Sequence, residues 1–206
     1  MKEAGAGQDR ADGNAGALSP EIPALQMIDA SRIPTRLLLG QSDVAEDVLR
    51  MIGLVSCSAN GNSAPPEASA EPELLWPRWA DRLEATGEIG VVRCWQYNCE
   101  VQAPLSVDTT PRPRTEEEVW ELATPERFDE YQRTGGASAS MMDHYYDKLL
   151  RVARPPPALV RNSYLEAEMA KQAAPLVRVC LEFGATGSVP LGTIREMAVR
   201  TDLAGG

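Results

Sequence analysis

Two stretches in the second half of the chain carry apolar residues at the spacing of an α-helix. In the first, Ser140 precedes a stripe that stops at Pro155, and its members are Met141, Met142, Tyr145, Leu149 and Val152. The second stretch runs from about Ser163 to Phe183, with Gly184 predicted as its C-cap and Pro175 as the site of a kink. These periodicities predict two long helices.

Shorter apolar stripes predict further helices over about 43–54, 115–122 and 126–132. The helix at 115–122 opens with three consecutive glutamates, which suit the positive end of a helix dipole. Apart from the pair Val91 and Val92, no alternating pattern extends beyond about four residues, the minimum for a half-buried strand. The pattern therefore predicts an all-α fold.

The block from Arg78 to about Tyr97 is also apolar at intervals but contains Gly87 and Gly90. A glycine inside a helix costs about 1 kcal/mol relative to alanine, so two of them indicate either close backbone packing or a break in the helix. Close packing is the preferred interpretation.

Composition divides the chain into a central domain and its flanks. Residues 1–22 are small and polar without periodicity, which predicts a disordered tail. A helical domain is predicted over 23–187, followed by a C-terminal tail over 188–206. Within the domain, residues 56–73 contain no Leu, Ile, Val or aromatic residue, which predicts a surface loop.

Charge and cysteine content narrow the classes of function. The 206 residues carry a net charge of −10, which disfavours nucleic acid as a partner because a phosphate backbone would be repelled. No apolar run reaches the roughly 18 residues that a membrane span needs, and no targeting segment is recognised at the start. We therefore expect an intracellular protein, cytoplasmic by default, whose four cysteines, Cys57, Cys94, Cys99 and Cys180, are free thiols.

The usual motifs of catalysis and nucleotide binding are absent from the sequence. There is one histidine, His144, so a histidine-rich zinc site or a Ser-His-Asp triad would have to be built around it alone. No Gly-x-Ser-x-Gly elbow or phosphate-binding Gly-x-x-x-x-Gly-Lys-Ser/Thr loop occurs. No residue is assigned a catalytic role.

Three segments do resemble a known family. The residues from Ala80 to Arg93 read ADRLEATGEIGVVR and resemble the Asp-Arg-Leu-Asp-Ala-x-Gly-Ala-Ile-Gly stretch of small HD-superfamily metal-dependent phosphohydrolases. About 60 residues later, the run from Met142 to Leu150 is similar to that family's His-Phe-Tyr-Glu-Lys-Leu-Leu helix, and Val48 to Ser58 is similar to an upstream helix and turn. The resemblance covers roughly residues 36–184. It implies an HD-domain-like helical bundle that is incomplete at its N-terminus.

The resemblance also implies a metal site of which this sequence retains only one ligand. The family binds its divalent ions through a His, a His-Asp pair and a later Asp, and only the last matches, as Asp81. Arg82, His144 and Lys148 are the candidate substrate-binding residues. Each has a structural interpretation too: a solvated or ion-paired Asp81, a structural ion pair for Arg82, a core ring for His144 and a solvated Lys148.

These observations leave competing hypotheses about function. The first is an HD-domain-like protein that has lost most of its metal centre and acts as a non-catalytic scaffold or as a subunit of a larger assembly, without a cofactor and with a protein partner. The second is a metal-dependent phosphohydrolase that acts on a nucleotide or another phosphate ester through Mg²⁺ or Mn²⁺. Its ligands would come from Asp81, Glu84, Glu88, Asp143, Asp147 and His144. A third hypothesis is that the true N-terminus lies upstream of Met1 and encodes the missing ligands.

Overall fold

The computed structural model describes residues 42–56, 60 and 64–204, and every regular element in this part of the chain is helical, which confirms the all-α prediction. The helices are α1 Ser42–Val55, α2 Pro66–Ala70, a 3₁₀ turn Pro72–Leu75, α3 Trp76–Thr86, α4 Glu88–Glu100, α5 Glu116–Glu121, α6 Pro125–Arg133, α7 Met141–His144, a π-helical segment Tyr145–Leu149, α8 Leu150–Ala153, α9 Pro157–Val160, α10 Ser163–Thr186 and α11 Leu191–Ala204. No helix among these described residues is long and apolar enough to cross a membrane. The tail predicted over 1–22 lies outside the described residues.

Helix α10 is the element that both parts of the core share. Its first half contributes Leu165 and Met169 to a small cluster with Leu75 and Trp79. Its second half contributes to a larger cluster with α4, α11 and the continuous helical run of residues 141–153, here called the central helix. The members of α10 in that larger cluster are Ala173, Leu176, Val177, Val179, Cys180 and Phe183.

Side-chain caps fix where several helices begin. The side chains of Thr115, Thr124, Ser140 and Asn162 each accept a hydrogen bond from the backbone N–H three residues later. Such a cap stabilises a helix by about 1 kcal/mol because it satisfies a backbone donor that lacks a partner within the helix. The prediction that the central helix starts after Ser140 is thus supported by the cap itself.

Both interpretations of the glycine pair, a break in the helix and close backbone packing, apply: the break lies at Gly87 and the close packing at Gly90. Gly87 separates α3 from α4, so the continuous helix breaks there. A Cβ at Gly90 would lie 2.0 Å from the backbone oxygen of Ala85, so close packing also requires glycine at this position. The two helices can therefore meet at a sharp, tightly packed corner.

The predicted end of α10 is wrong by three residues. The helix ends at Thr186, and its C-cap is Gly187, whose φ of 74° is the left-handed conformation that glycine adopts without strain. Gly184 lies inside the helix, where a Cβ would come within 1.7 Å of the carbonyl oxygen of Pro113. Glycine is present there because a loop crosses the helix, a tertiary contact that the local sequence does not encode.

Two segments predicted as irregular are partly helical. The predicted surface loop over 56–73 includes α2 and the start of the 3₁₀ turn, and its Ala68 is fully buried. The predicted C-terminal tail over 188–206 includes α11, which buries Ile194 and Met197 in the larger cluster. Both segments differ from the prediction for the same reason. A few small or well-spaced apolar residues are enough to stabilise a helix when a neighbouring helix supplies the rest of the core.

The loop crossing at α10 gives a first testable prediction. Replacing Gly184 by alanine should lower the free energy of unfolding by about 1–3 kcal/mol, because the Pro113 carbonyl must move away from the new methyl group. Gly192→Ala in α11 is the matched control, since no atom lies within 4 Å of the position its Cβ would take. It should raise stability by about 0.5 kcal/mol. Urea unfolding of both variants checks this, and equal effects would contradict the close approach.

Candidate functional site

Asp81 and Arg82 lie side by side on α3 but in opposite environments. The Asp81 side chain is exposed, whereas Arg82 is 3 % exposed and its guanidinium lies 4.8 Å from the centroid of the Trp79 ring. Arg78 is also buried, 5.6 Å from the same ring, and its Nε donates to the carbonyl oxygen of Leu54 at 2.6 Å. Arginines held against an indole in this way stabilise the packing of α3 against α1.

His144 and Lys148 lie one turn apart on the central helix, next to Tyr131 of α6. The rings of His144 and Tyr131 are 5.3 Å apart between centroids, and the Lys148 ammonium lies 5.4 Å from the Tyr131 centroid. Burial, followed by the neighbouring Lys148 charge, lowers the pKa of His144 to about 3. The imidazole is therefore neutral near pH 7, and it packs as an aromatic ring.

The four residues predicted from the resemblance thus fall into two separate settings. Arg82 packs on Trp79 of the small core cluster and Asp81 is exposed beside it on α3, whereas His144 and Lys148 lie against Tyr131. Across the described ranges, no three His, Cys, Asp or Glu side chains form a group that could hold a metal ion. Burial raises the pKa of the Cys94 thiol to about 12, so this thiol is protonated near pH 7.

A connected polar cluster surrounds Asp143, which is 7 % exposed. One carboxylate oxygen accepts hydrogen bonds from the hydroxyls of Ser140 at 2.6 Å and Thr110 at 2.9 Å. The other oxygen lies 3.4 Å from Nη2 of Arg127. The carboxylate is thus fully satisfied by a neighbouring loop, by its own helix cap and by α6.

Arg127 joins α6 to the central helix through a second carboxylate. Its Nε donates to Asp147 at 2.8 Å, and its Nη2 lies 2.7 Å from the same oxygen. The guanidinium also lies 5.6 Å from the ring centroid of Tyr146, whose hydroxyl donates to the carbonyl oxygen of Pro111 at 3.2 Å. We call Arg127, Asp143, Asp147, Thr110 and Ser140 the arginine cluster.

Sequence reasoning identified only part of this cluster. Asp143 and Asp147 are among the candidate metal ligands of the hydrolase hypothesis, and their i, i+4 spacing puts both carboxylates on the helix face where Arg127 contacts them. Arg127 was not singled out. The Thr124-Pro125 start of α6 was the available signal, because it fixes Arg127 in the first turn of that helix.

A shallow groove of about 470 Å³ lies beside the arginine cluster. It is lined by α6, by the turn that follows it and by Asp147. The hydroxyl oxygen of Ser138 is buried in this turn without a hydrogen-bond partner in the described part of the chain. Most of the residues that line the groove have polar or charged side chains, but the one guanidinium among them, that of Arg127, already pairs with two carboxylates.

The charged side chains of the arginine cluster pair with one another. A divalent ion held by Asp143 and Asp147 would have to displace Arg127 and two hydroxyl donors, and a neutral His144 beside an ammonium adds no negative charge. The described residues of this region are therefore organised as a structural ion-pair network.

Comparison with known proteins shows a similarity to a viral protein. The chain is 39% identical over 138 residues to the uncharacterized protein L803 of Acanthamoeba polyphaga mimivirus. The match covers 67% of this chain and 55% of the viral protein, so the chain spans about half the length of that relative. No family model matches the sequence, and no solved structure matches it.

The arginine cluster predicts a large stability loss on removal of its cation. Arg127→Met should lower the free energy of unfolding by about 2–4 kcal/mol, because Asp143 and Asp147 would be left as poorly solvated, unpaired carboxylates. Arg133→Met on the same helix is the matched control. Arg133 pairs with Glu130 on an exposed surface, so its loss should change stability by about 0.5 kcal/mol or less. Chemical denaturation distinguishes the two, and equal losses would contradict a structural role for Arg127.

The lowered pKa of His144 predicts a pH dependence. Between its ordinary pKa of about 6.5 and its folded value of about 3, the unfolded chain binds a proton that the folded chain does not. The stabilising contribution is therefore complete above about pH 6.5 and is lost as the pH falls. From pH 7 to pH 5 the native chain should lose about 1–2 kcal/mol more stability than His144→Gln. Denaturation curves at both pH values test this, and parallel losses would refute it.

Proposed function

We propose that this chain is an HD-domain-like protein that has lost most of its metal centre and acts as a non-catalytic helical scaffold that binds another protein. The observation that carries the proposal is the pairing of Arg127 with both Asp143 and Asp147. The guanidinium of Arg127 contacts the same two carboxylates that the hydrolase hypothesis would need as ligands of a metal ion.

The position of Asp81 supports the same proposal. Its carboxylate is exposed on α3, while its neighbour Arg82 is buried against Trp79. A lone, solvated carboxylate binds Mg²⁺ or Mn²⁺ weakly, because these ions are hydrated strongly and need several oxygen ligands. The described environment of Asp81 favours a surface residue over a working metal ligand.

The outer face of α4 supports a role in binding. Ile89 and Tyr97 lie eight residues apart on one side of α4, and Val101 is the C-cap residue four positions after Tyr97. Their side chains are 43 %, 40 % and 45 % exposed. Apolar side chains that share an exposed helix face are typical of protein contact surfaces.

Metal content and turnover test the proposal together. We expect the dialysed chain to contain close to no bound Mg, Mn, Fe, Zn or Ni per polypeptide by elemental analysis. With Mg²⁺ or Mn²⁺ added, hydrolysis of nucleotides and of p-nitrophenyl phosphate should be the same for the native chain, Asp81→Ala and Asp129→Ala, since Asp129 is an exposed aspartate on α6.

The phosphohydrolase hypothesis makes the opposite prediction. It requires a metal content near one or two ions per chain and a turnover that Asp81→Ala abolishes while Asp129→Ala preserves it. That combination would overturn the scaffold proposal, and the ligands besides Asp81 would then be sought by the same substitution at Glu84 and Glu88.

A further inference from the structure

One face of α4 stays exposed in the described part of the chain. Ile89, Arg93 and Tyr97 follow one another on it at intervals of four residues. Val101, the C-cap residue, continues the row at the same interval. All four side chains are exposed, although α4 packs against α3, α10 and α11 on its other sides. We call these four residues the α4 ridge.

A row of residues spaced four apart is the surface with which helices most often pack. In the commonest class of helix contact, the i, i+4 row of one helix lies in the groove beside the i, i+4 row of the other. Two copies of the same row can therefore pack on each other across a two-fold axis, as in most homodimers. When that axis is perpendicular to the helices, they run roughly antiparallel, and the positive end of each helix dipole lies beside the negative end of the other.

The chemistry of the α4 ridge is complementary to its own reversed copy. Apolar residues, Ile89 and Val101, stand at its two ends. A cation, Arg93, and an aromatic ring, Tyr97, stand in the middle. A two-fold axis that passes between these two central residues brings each apolar end against the other apolar end, and each guanidinium against a tyrosine ring. This match between the row and its own reverse favours a second copy over an unrelated helix.

A charge at the end of α4 favours the same arrangement. Glu100 is exposed in the last turn of α4, which contains no basic residue, so its carboxylate lies at the negative end of the helix dipole. In the antiparallel pair, Arg93 of the second copy lies opposite Tyr97, about one turn before Glu100, within reach of a long side chain. One two-fold axis therefore supplies two ion pairs between the copies.

The pairing of Arg93 within its own chain leaves its guanidinium available for this contact. Nη1 of Arg93 lies 2.8 Å from the carboxylate of Glu84, and the two side chains are 61 % and 56 % exposed. A solvent-exposed pair of this kind contributes little to stability, and a guanidinium has further N–H donors. Arg93 can therefore keep or exchange Glu84 when a second copy covers the ridge.

We propose that the chain forms a symmetric dimer in which the α4 ridges of two copies pack antiparallel, with Arg93 of each copy beside Tyr97 and Glu100 of the other. This inference rests on the proposed scaffold function and identifies the protein bound by the α4 face as a second copy of this chain. One helix pair buries less area than the roughly 1,600 Å² of a standard interface, so we expect a weak dimer.

Sedimentation equilibrium of the full chain between about 1 µM and 1 mM tests the proposal. Salt at about 0.15 M, with a Debye length of about 8 Å, screens the repulsion between two chains of net charge −10. The native chain should show a reversible monomer–dimer equilibrium, and Tyr97→Glu should raise its dissociation constant by about tenfold or more. Tyr164→Glu is the matched control, because Tyr164 is an exposed tyrosine on α10, and it should leave the constant unchanged.

Charge reversal is the second arm of the test. Arg93→Glu and Glu100→Arg should each raise the dissociation constant by about tenfold, because each places like charges opposite one another. The double variant Arg93→Glu, Glu100→Arg restores opposite charges across the interface and should return the constant to within about threefold of the native value. Loss of the pair with Glu84 cannot produce this rescue. Circular dichroism of each variant verifies that the helical fold is retained.

Three results would overturn the inference. The first is a native chain that remains monomeric up to about 1 mM. The second is equal weakening by Tyr97→Glu and Tyr164→Glu, and the third is a double charge variant that dimerises no more tightly than either single variant. None of these results depends on metal content or hydrolysis, so failure of the dimer is distinguishable from failure of the scaffold proposal.

Discussion

The neutralisation of Asp143 by Arg127 is the constraint on which the arrangement of the helices depends. A carboxylate can be buried only if hydrogen bonds and an opposite charge replace its hydration. Here the replacements come from three separate segments: Thr110 in the loop before α5, Ser140 at the start of the central helix, and Arg127 of α6. Satisfying one charge therefore fixes the relative positions of all three segments.

The same constraint explains why a long irregular stretch can be ordered without secondary structure of its own. In the loop between α4 and α5, the hydroxyl of Thr110 donates a hydrogen bond to Asp143, and the carbonyl oxygen of Pro111 accepts one from the hydroxyl of Tyr146. The backbone N–H groups of Met141 and Met142 donate to the carbonyl oxygens of Pro104 and Leu105. The prolines reduce the conformational entropy that this ordering costs, and the loop then crosses α10 where Gly184 leaves room for it.

The difference between what the sequence predicts and what it does not follows the range of the interactions. Caps such as Ser140 and helix periods are local, so the helices that these signals predict lie within a few residues of the observed ones. The role of Arg127 depends on carboxylates 16 and 20 residues away, which no local pattern connects. The helix α11 was missed for the same reason, because Ile194 and Met197 become core residues only against α4 and α10. The environments of Asp81 and His144 likewise depend on tertiary packing.

Helix α10 has a buried side and an exposed side, which differ in what they contribute to stability. Its inward residues, such as Leu176 and Phe183, belong to the core, and truncating either to alanine should lower the free energy of unfolding by about 2–5 kcal/mol. Its outward residues, such as Ala174, are exposed, so substitutions there should change the free energy of unfolding by only about 0.5 kcal/mol. The arginine cluster anchors the central helix from the other side of the core. A protein built this way can alter its exposed helix face while its internal charges stay neutralised, as the scaffold proposal requires.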